Sequence, residues 1–267
     1  ATSLPGAGLA DDVHPCQPGE SMYIGTAAWS IPRGVADSFP GEGQHLDRYA
    51  RVLSCTEINS SFYRPHRVET YARWASQTPP HFRFAVKLPR AITHDARLRG
   101  AREPLQAFLA QAAGLGAKLG VLLVQLPPSF AYEAPVVKTF FTLLRESWDG
   151  PVACEPRHAS WFEGAADRAL AALRISRVAA DPARNADAAR PGGWLGPDGD
   201  GAGTLLYYRW HGSPRIYWSR YDDAWLAQQA THLADWPESA LRWVIFDNTA
   251  AGEATANALV LEALTAP

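Results

Sequence analysis

Short apolar runs alternate with longer stretches whose apolar positions recur every three or four residues, and the alternation persists along almost the whole chain. The runs read as buried strands and the longer stretches as amphipathic helices. Strands are predicted at Met22–Thr26, Thr56–Asn59, Phe82–Lys87, Gly120–Gln125, Pro151–Glu155, Arg177–Ala180, Leu205–Trp210 and Arg242–Phe246. Helices are predicted at Asp47–Leu53, Val68–Ser76, Pro104–Gly114, Pro135–Glu146, Ala165–Leu173, Asp223–Leu233 and Glu253–Leu264. Pro79-Pro80 ends a helix and Pro127-Pro128 ends a strand, because proline lacks the amide hydrogen that continues either ladder. Pro182–Gly203 breaks the pattern. It is rich in Gly, Pro, Ala and Asp, and it predicts an irregular loop with room for one helical turn where a helix would otherwise follow the sixth strand.

Strands that alternate with helices form parallel sheets. Eight such repeats within 267 residues predict a single (β/α)8 TIM-like barrel over residues 21–267, with an open doubly wound sheet as the competing arrangement. Residues 1–20, rich in Gly, Ala, Pro and Asp, are expected to be a partly ordered tail, and without a basic start and an apolar stretch they do not read as a signal peptide.

Composition narrows the partners. The net charge of −2 gives no global attraction to nucleic acid or to an anionic membrane, so neither is an expected partner. No apolar run approaches the ~20 residues that cross a bilayer. The three cysteines, Cys16, Cys55 and Cys154, are odd in number and widely spaced, which predicts reduced thiols and a cytoplasmic location. Neither GxGxxG nor GxxxxGK[ST] occurs, so no nucleotide cofactor is expected.

In such a barrel the reactive groups sit where the strands end, at their C-terminal side. Those ends are polar here. A period of two places Glu57 with Asn59, Glu155 with Arg157, and Tyr207 with Arg209 and His211. Lys87, Gln125 and Asp181 close three other strands, and His94 and His158 follow in the loops. On the last strand Phe246 and Asn248 share a face, which turns Asp247 the other way if Asn248 points inward. Each residue also has a plain structural reading. Lys87 or Asp181 could form a structural ion pair, Gln125 could satisfy backbone groups, and Tyr63, Trp161 and Trp218 could be packing. Burying this many charges without purpose is costly, so their convergence predicts a polar pocket for a small polar or anionic ligand.

These residues stand in stretches that resemble the YecE-like family, catalogued as domain of unknown function 72. The matching stretches are Ile24–Trp29, Glu57–Tyr63, Arg73–Ala75, Phe82–Lys87, Ile92–His94, Gln125–Phe130, Glu155–Trp161, Arg209–Gly212 and Phe246–Asn248. They run in family order from about residue 22 to 264. The resemblance implies a TIM-like barrel loosely grouped with sugar isomerases, with no established reaction. Pro156 departs from the family's usual Phe, next to the backbone that aims Arg157 and His158.

The residue types support a sugar or polyol isomerase, epimerase or lyase. Glu57 and Glu155 would act as acid and base, and Lys87 and His211 would polarise a carbonyl or stabilise an enediolate. Arg157 and Arg209 would hold a carboxylate or phosphate, and Asn59, Gln125 and Asn248 would bind hydroxyls. Tyr63, His94, His158, Trp161 and Asp181 complete the expected pocket lining. A metal variant would use Glu155, Asp181 and His211, weakened by the poor fourth ligand and by Arg209 nearby. Other readings are inverting glycoside hydrolysis by Glu57 and Glu155, Schiff-base chemistry at Lys87, and a non-catalytic module that binds an anionic metabolite or nucleic acid.

Overall fold

The computed structural model describes residues 21–266, so the predicted tail, with Cys16, lies outside the described residues. The strands are β1 (Met22–Ala27), β2 (Cys55–Ile58), β3 (Arg83–Lys87), β4 (Leu119–Gln125), β5 (Val152–Glu155), β6 (Ser176–Arg177), β7 (Ala179–Asp181), β8 (Gly192–Gly193), β9 (Leu205–Trp210) and β10 (Leu241–Phe246). The helices are α1 (His45–Tyr49), α2 (Ser60–Tyr63), α3 (Val68–Ser76), α4 (Arg102–Ala112), α5 (Ala134–Ser147), α6 (Ala165–Ala172), α7 (Asp223–Ala234) and α8 (Glu253–Thr265).

The sheet runs β7-β9-β10-β1-β2-β3-β4-β5-β6-β8. β6 and β7 are two halves of one barrel strand, parted at Val178. β6 pairs with β5 and β7 pairs with β9, all parallel, so the ring closes across that break. The first strand, β1, pairs with the last, β10, as well as with β2, and with the ring carried through β5–β6 and β7–β9 this rules out the open doubly wound arrangement. The irregular segment after β7 contains no helix, but has hydrogen-bonded turns such as that from Asp187 to Arg190. It contributes the two-residue β8, which returns antiparallel onto β6. Several short helices were absent from the periodic pattern, among them α2, immediately after β2, a π-helical turn at Ala91–Asp95 after β3, and 3-10 turns at Arg33–Ser38 and Ala159–Phe162. Single turns are too short to leave an apolar period in the sequence.

Two apolar layers follow from the pleat. Outside the strands, Phe84, Val86, Leu122, Val124 and Phe246 pack in one cluster with Phe108, Phe140 and Phe141. Inside the ring, Tyr23, Ala85, Leu123, Ala153, Tyr207 and Trp243 form a second cluster. Trp243 stacks between Tyr23 at 5.0 Å and Tyr207 at 6.0 Å. Gly120 makes room for that indole, since a Cβ there would lie 2.7 Å from the ring. Because side chains alternate across a strand, the inward row continues upward from Ala85 to Lys87, from Leu123 to Gln125, from Ala153 to Glu155 and from Tyr207 to Arg209. The apolar core therefore ends in a polar layer at the C-terminal mouth.

Candidate functional site

Arg209, fully buried, is the hub of that layer. Its Nε and Nη2 donate to Glu57 Oε2 and Oε1 at 3.0 and 2.7 Å, a bidentate pair. Its Nη1 donates to Glu155 Oε2 at 2.5 Å and its Nη2 also to Asp247 Oδ2 at 3.0 Å. Tyr207 donates its hydroxyl to Glu57 Oε2 at 2.9 Å. His211 sits between two carboxylates, with Nδ1 3.0 Å from Asp247 Oδ2 and Nε2 3.1 Å from Glu155 Oε1. Arg157 Nε donates to the same Glu155 Oε1 at 3.0 Å.

Electrostatics follow from these contacts. Burial alone would raise the Glu155 carboxyl, but Arg157, Arg209 and His211 outweigh it and hold it well below the usual carboxylate range. Asp247 is lowered in the same way, against burial, first by Arg209 and then by His211. Burial would lower His211, yet the Glu155 charge and the bonds to Asp247 and Glu155 raise it, favouring an imidazolium that donates from both nitrogens.

Lys87 is different. It is 8% exposed, and its Nζ lies 4.2 Å above the Phe62 ring. No carboxylate of the described residues lies within ion-pair distance of it. Burial, and then the Arg209 charge, lower its amine to about 8 against the pull of the three carboxylates. His94 packs edge-on to the same Phe62 ring at 4.9 Å. Burial, then the charges of Lys87, Arg90 and Arg157, lower that imidazole to about 4, so it is neutral near pH 7. Gln125 is buried at the end of β4, and its amide has no hydrogen bond among the described residues. Asn59 keeps a buried Oδ1 without a partner.

Glu57, Lys87, Glu155, Arg157, Arg209 and His211 are thus brought together, with Gln125 on the neighbouring strand end. Several expectations are corrected. Asp247, expected to face outward, belongs to the cluster. Asn248 points away from it and donates to Ser219 O and to Asn257 Oδ1, both at 2.9 Å. Both faces of β10 are apolar, Trp243 and Ile245 inside and Val244 and Phe246 outside, so its parity was unreadable. The Asp181 carboxylate accepts the Tyr221 hydroxyl at 2.7 Å, and it is the Asp181 backbone carbonyl that meets His211, accepting from its N at 2.7 Å. Among the described residues no group of three acidic, His or Cys side chains is arranged to hold a metal ion. The expected metal set does not fit, because both His211 nitrogens face carboxylates and Arg209 and Arg157 occupy Glu155. Trp161 is fully buried and donates to Phe130 O at 2.8 Å, so it is packing. His158 uses Nδ1 to cap the turn at Ser160. Tyr63 is 78% exposed on the rim.

Sequence reasoning missed three tyrosine roles, those of Tyr207, Tyr217 and Tyr221, and the buried amide Asn257. Tyr207 was legible as an inward neighbour of Arg209. Tyr217 and Tyr221 belong to a loop that no periodicity encodes, and Asn257, on α8, is tied to that loop through the Tyr221 backbone.

Fold and site together define a closed α/β barrel with an ionised cluster at the C-terminal mouth of its strands. The chain belongs to the family described as "Protein of unknown function DUF72", which matches residues 23–267 and has no established function. It is 33% identical over 176 residues to the UPF0759 protein YecE of Escherichia coli (strain K12), covering 64% of this chain and 62% of that protein. The UPF0759 protein YunF of Bacillus subtilis (strain 168) is 26% identical over 53% of this chain and 52% of its own length. The chain therefore spans less than two thirds of these curated relatives. Crystal structures of DUF72 family proteins share the fold. TM1631 of Thermotoga maritima aligns with a TM-score of 0.73 at 24% identity, over 92% of this chain and 99% of that one. EF0366 of Enterococcus faecalis aligns at 0.72 and 22% identity, over 91% and 95%. No helix among the described residues is long and apolar enough to cross a membrane.

Proposed function

We propose that the barrel mouth binds a small polar compound with a carbonyl and an acidic group, such as a sugar acid or sugar phosphate, and moves a proton beside that carbonyl. This is isomerase, epimerase or lyase chemistry. The observation that carries the reading is Lys87, a buried amine without a carboxylate partner beside a cluster whose other charges are all paired. An amine lowered to about 8 exchanges protons readily near neutral pH. Protonated, it polarises a carbonyl oxygen; neutral, it accepts the proton from the adjacent carbon. Glu57, Glu155 and Asp247 balance Arg209, His211 and Arg157, so Lys87 leaves the mouth with one excess positive charge, which favours an anionic ligand. Arg157, partly exposed, is suited to the acidic group, and Gln125 and Asn59 to hydroxyls.

The fully enclosed Glu57 serves here as a brace for Arg209 and not as an acid or base, which removes the basis for a Glu57–Glu155 glycoside hydrolase. Binding without turnover is the competing reading.

The test is deuterium exchange. Ketoses, aldoses, sugar acids and sugar phosphates are incubated with the protein in heavy water between pH 7 and 10. Loss of the proton signal beside the carbonyl is followed by NMR. Exchange that disappears in Lys87→Met supports the reading. If no compound in the panel exchanges faster than it does in buffer, the proton-transfer proposal is wrong.

A further inference from the structure

The loop between β9 and α7 folds back over the mouth and is pinned from several directions. Gly212 sits at φ +91°, where a Cβ would lie 2.7 Å from Ser219 O and 2.9 Å from Asn248 Cβ. Gly212 N donates to the Tyr221 hydroxyl at 2.9 Å, and Asn248 Nδ2 holds Ser219 O. Tyr217 N donates to His211 O at 2.5 Å, and Ala250 N donates to Tyr217 O at 2.9 Å. At the centre of this loop Tyr217 has φ +69°, a left-handed conformation that is uncommon and costly for a bulky side chain. Glycine would meet the backbone requirement at no steric cost. A tyrosine there calls for a reason in its side chain.

That side chain is aimed at the cluster. Its ring stands edge-on to His211, with centroids 5.8 Å apart and planes at 85°. Its hydroxyl lies 3.5 Å from Arg157 Nη1, at the outer limit of a hydrogen bond. Arg157 spends Nε and Nη2 on Glu155 and has only this long contact on its remaining nitrogen. The Arg157 side chain is 22% exposed and Tyr217 is 39% exposed, so the two tips meet at a solvent-accessible edge.

We infer that the Tyr217 hydroxyl and Arg157 Nη1 form an oxyanion subsite, and that Tyr217 is a specificity-determining residue. A carboxylate or phosphate oxygen placed between them would take one charge-assisted bond from the guanidinium and one from the phenol. Both are donors to an anion, whereas each now satisfies the other poorly. The ring above His211 would supply an apolar wall for the carbon skeleton. This inference rests on the reading of the mouth as a site for an acidic compound, and it names where the acidic group goes.

The test uses inorganic phosphate and acetate as probes, separately, on the full chain. Phosphate binding is read by phosphorus NMR line width and acetate binding by saturation transfer. The protein carries 13C-ring tyrosine, with the Tyr217 resonance identified by its absence in Tyr217→Phe. The expected result is a saturable shift of that resonance with at least one probe. Affinity should fall about tenfold in Tyr217→Phe, as for loss of one hydrogen bond to a charged group. It should fall at least as far in Tyr217→Gly, which fits the loop backbone without strain and so keeps the fold. Whichever probe binds tells carboxylate from phosphate. Binding by the parent with unchanged affinity in both variants overturns the role of Tyr217 alone. Absence of binding of either anion by the parent overturns the acidic-ligand reading and this inference with it.

Discussion

The two sides of the barrel mouth treat charge in opposite ways. On the side of β5, β9 and β10, Glu155, Arg209, His211 and Asp247, braced by Glu57, neutralise one another through short bonds. On the side of β3 and β4, Lys87 and Gln125 are just as deeply placed but lack such partners. A buried group with partners holds its neighbours in place; a buried group without them stores unfavourable free energy that a ligand can relieve. The first side is therefore read as scaffold and the second as the reacting edge. The difference predicts mutations of opposite sign a few ångströms apart.

The largest effect belongs to the scaffold. Arg209→Met would strand Glu57, Glu155 and Asp247 without their shared cation. Removing one partner of a buried ion network costs about 3–5 kcal/mol. Urea unfolding at pH 7 should show a loss of that size. A loss under about 1 kcal/mol would mean that water reaches the cluster and that it is no rigid scaffold.

Lys87→Met should act in the other direction. The folded amine is lowered to about 8 by burial and then by Arg209. Below that pH it is protonated in both folded and unfolded states, so the cost of burying its charge is fully present at pH 7. From about 8 up to the unfolded value near 10.4 the unfolded chain binds more protons, and stability from this group rises with pH. Methionine removes the charge and keeps the volume, so the variant should be roughly 2–4 kcal/mol more stable at pH 7. The gap to the parent should close toward pH 10. A variant less stable than the parent at pH 7 would show that Lys87 has a stabilising partner and belongs to the scaffold side.

Much of this contrast is legible in the sequence, though unevenly. The alternation in β2, β5 and β9 placed Glu57, Glu155, Arg209 and His211 at strand ends. Eight repeats of the pattern required the ring that brings those ends together. Sequence could not tell which charges would find each other, because bonds such as that of Tyr207 to Glu57 join residues 150 apart in the chain. The parity of β10 was lost because a strand apolar on both faces has no polar side to mark its orientation. Trp161 was placed in the pocket as part of its lining, and Asn248 as a strand-end amide suited to hydroxyls. Their side chains leave it for a backbone carbonyl and for a loop, and those are tertiary choices.

The third prediction sharpens the scaffold side by pH. His211 is raised by Glu155 and Asp247 against its burial. A raised folded value contributes stability that is fully present below about 6.5, the unfolded value, and is lost as pH rises through the folded one. His211→Asn should lose the charge-assisted part of these bonds, about 1–2 kcal/mol at pH 6. The penalty should shrink on the alkaline side. Comparing each variant with the parent separates this decline from the Lys87 rise over the same pH range. A penalty independent of pH would mean that His211 is neutral in the fold.

The smallest effect lies in the loop that carries Tyr217 over the mouth. Tyr221 donates to Asp181 Oδ1 at 2.7 Å and accepts from Gly212 N at 2.9 Å, while its ring stacks on Trp225 at 4.0 Å. Tyr221→Phe keeps the stacking and removes only the hydroxyl, so the loss should be about 1 kcal/mol. Its location matters more than its size. The orphaned Gly212 amide and the Tyr217 amide should exchange with solvent faster, because a loop loosened at its hinge opens locally before the barrel does. Amides of β5 beneath Glu155 should keep the parent's protection. Faster exchange on both sides would mean that the loop and the ion cluster open as one unit, and the mouth would then have a single cooperative rim in place of a fixed half and a responsive half.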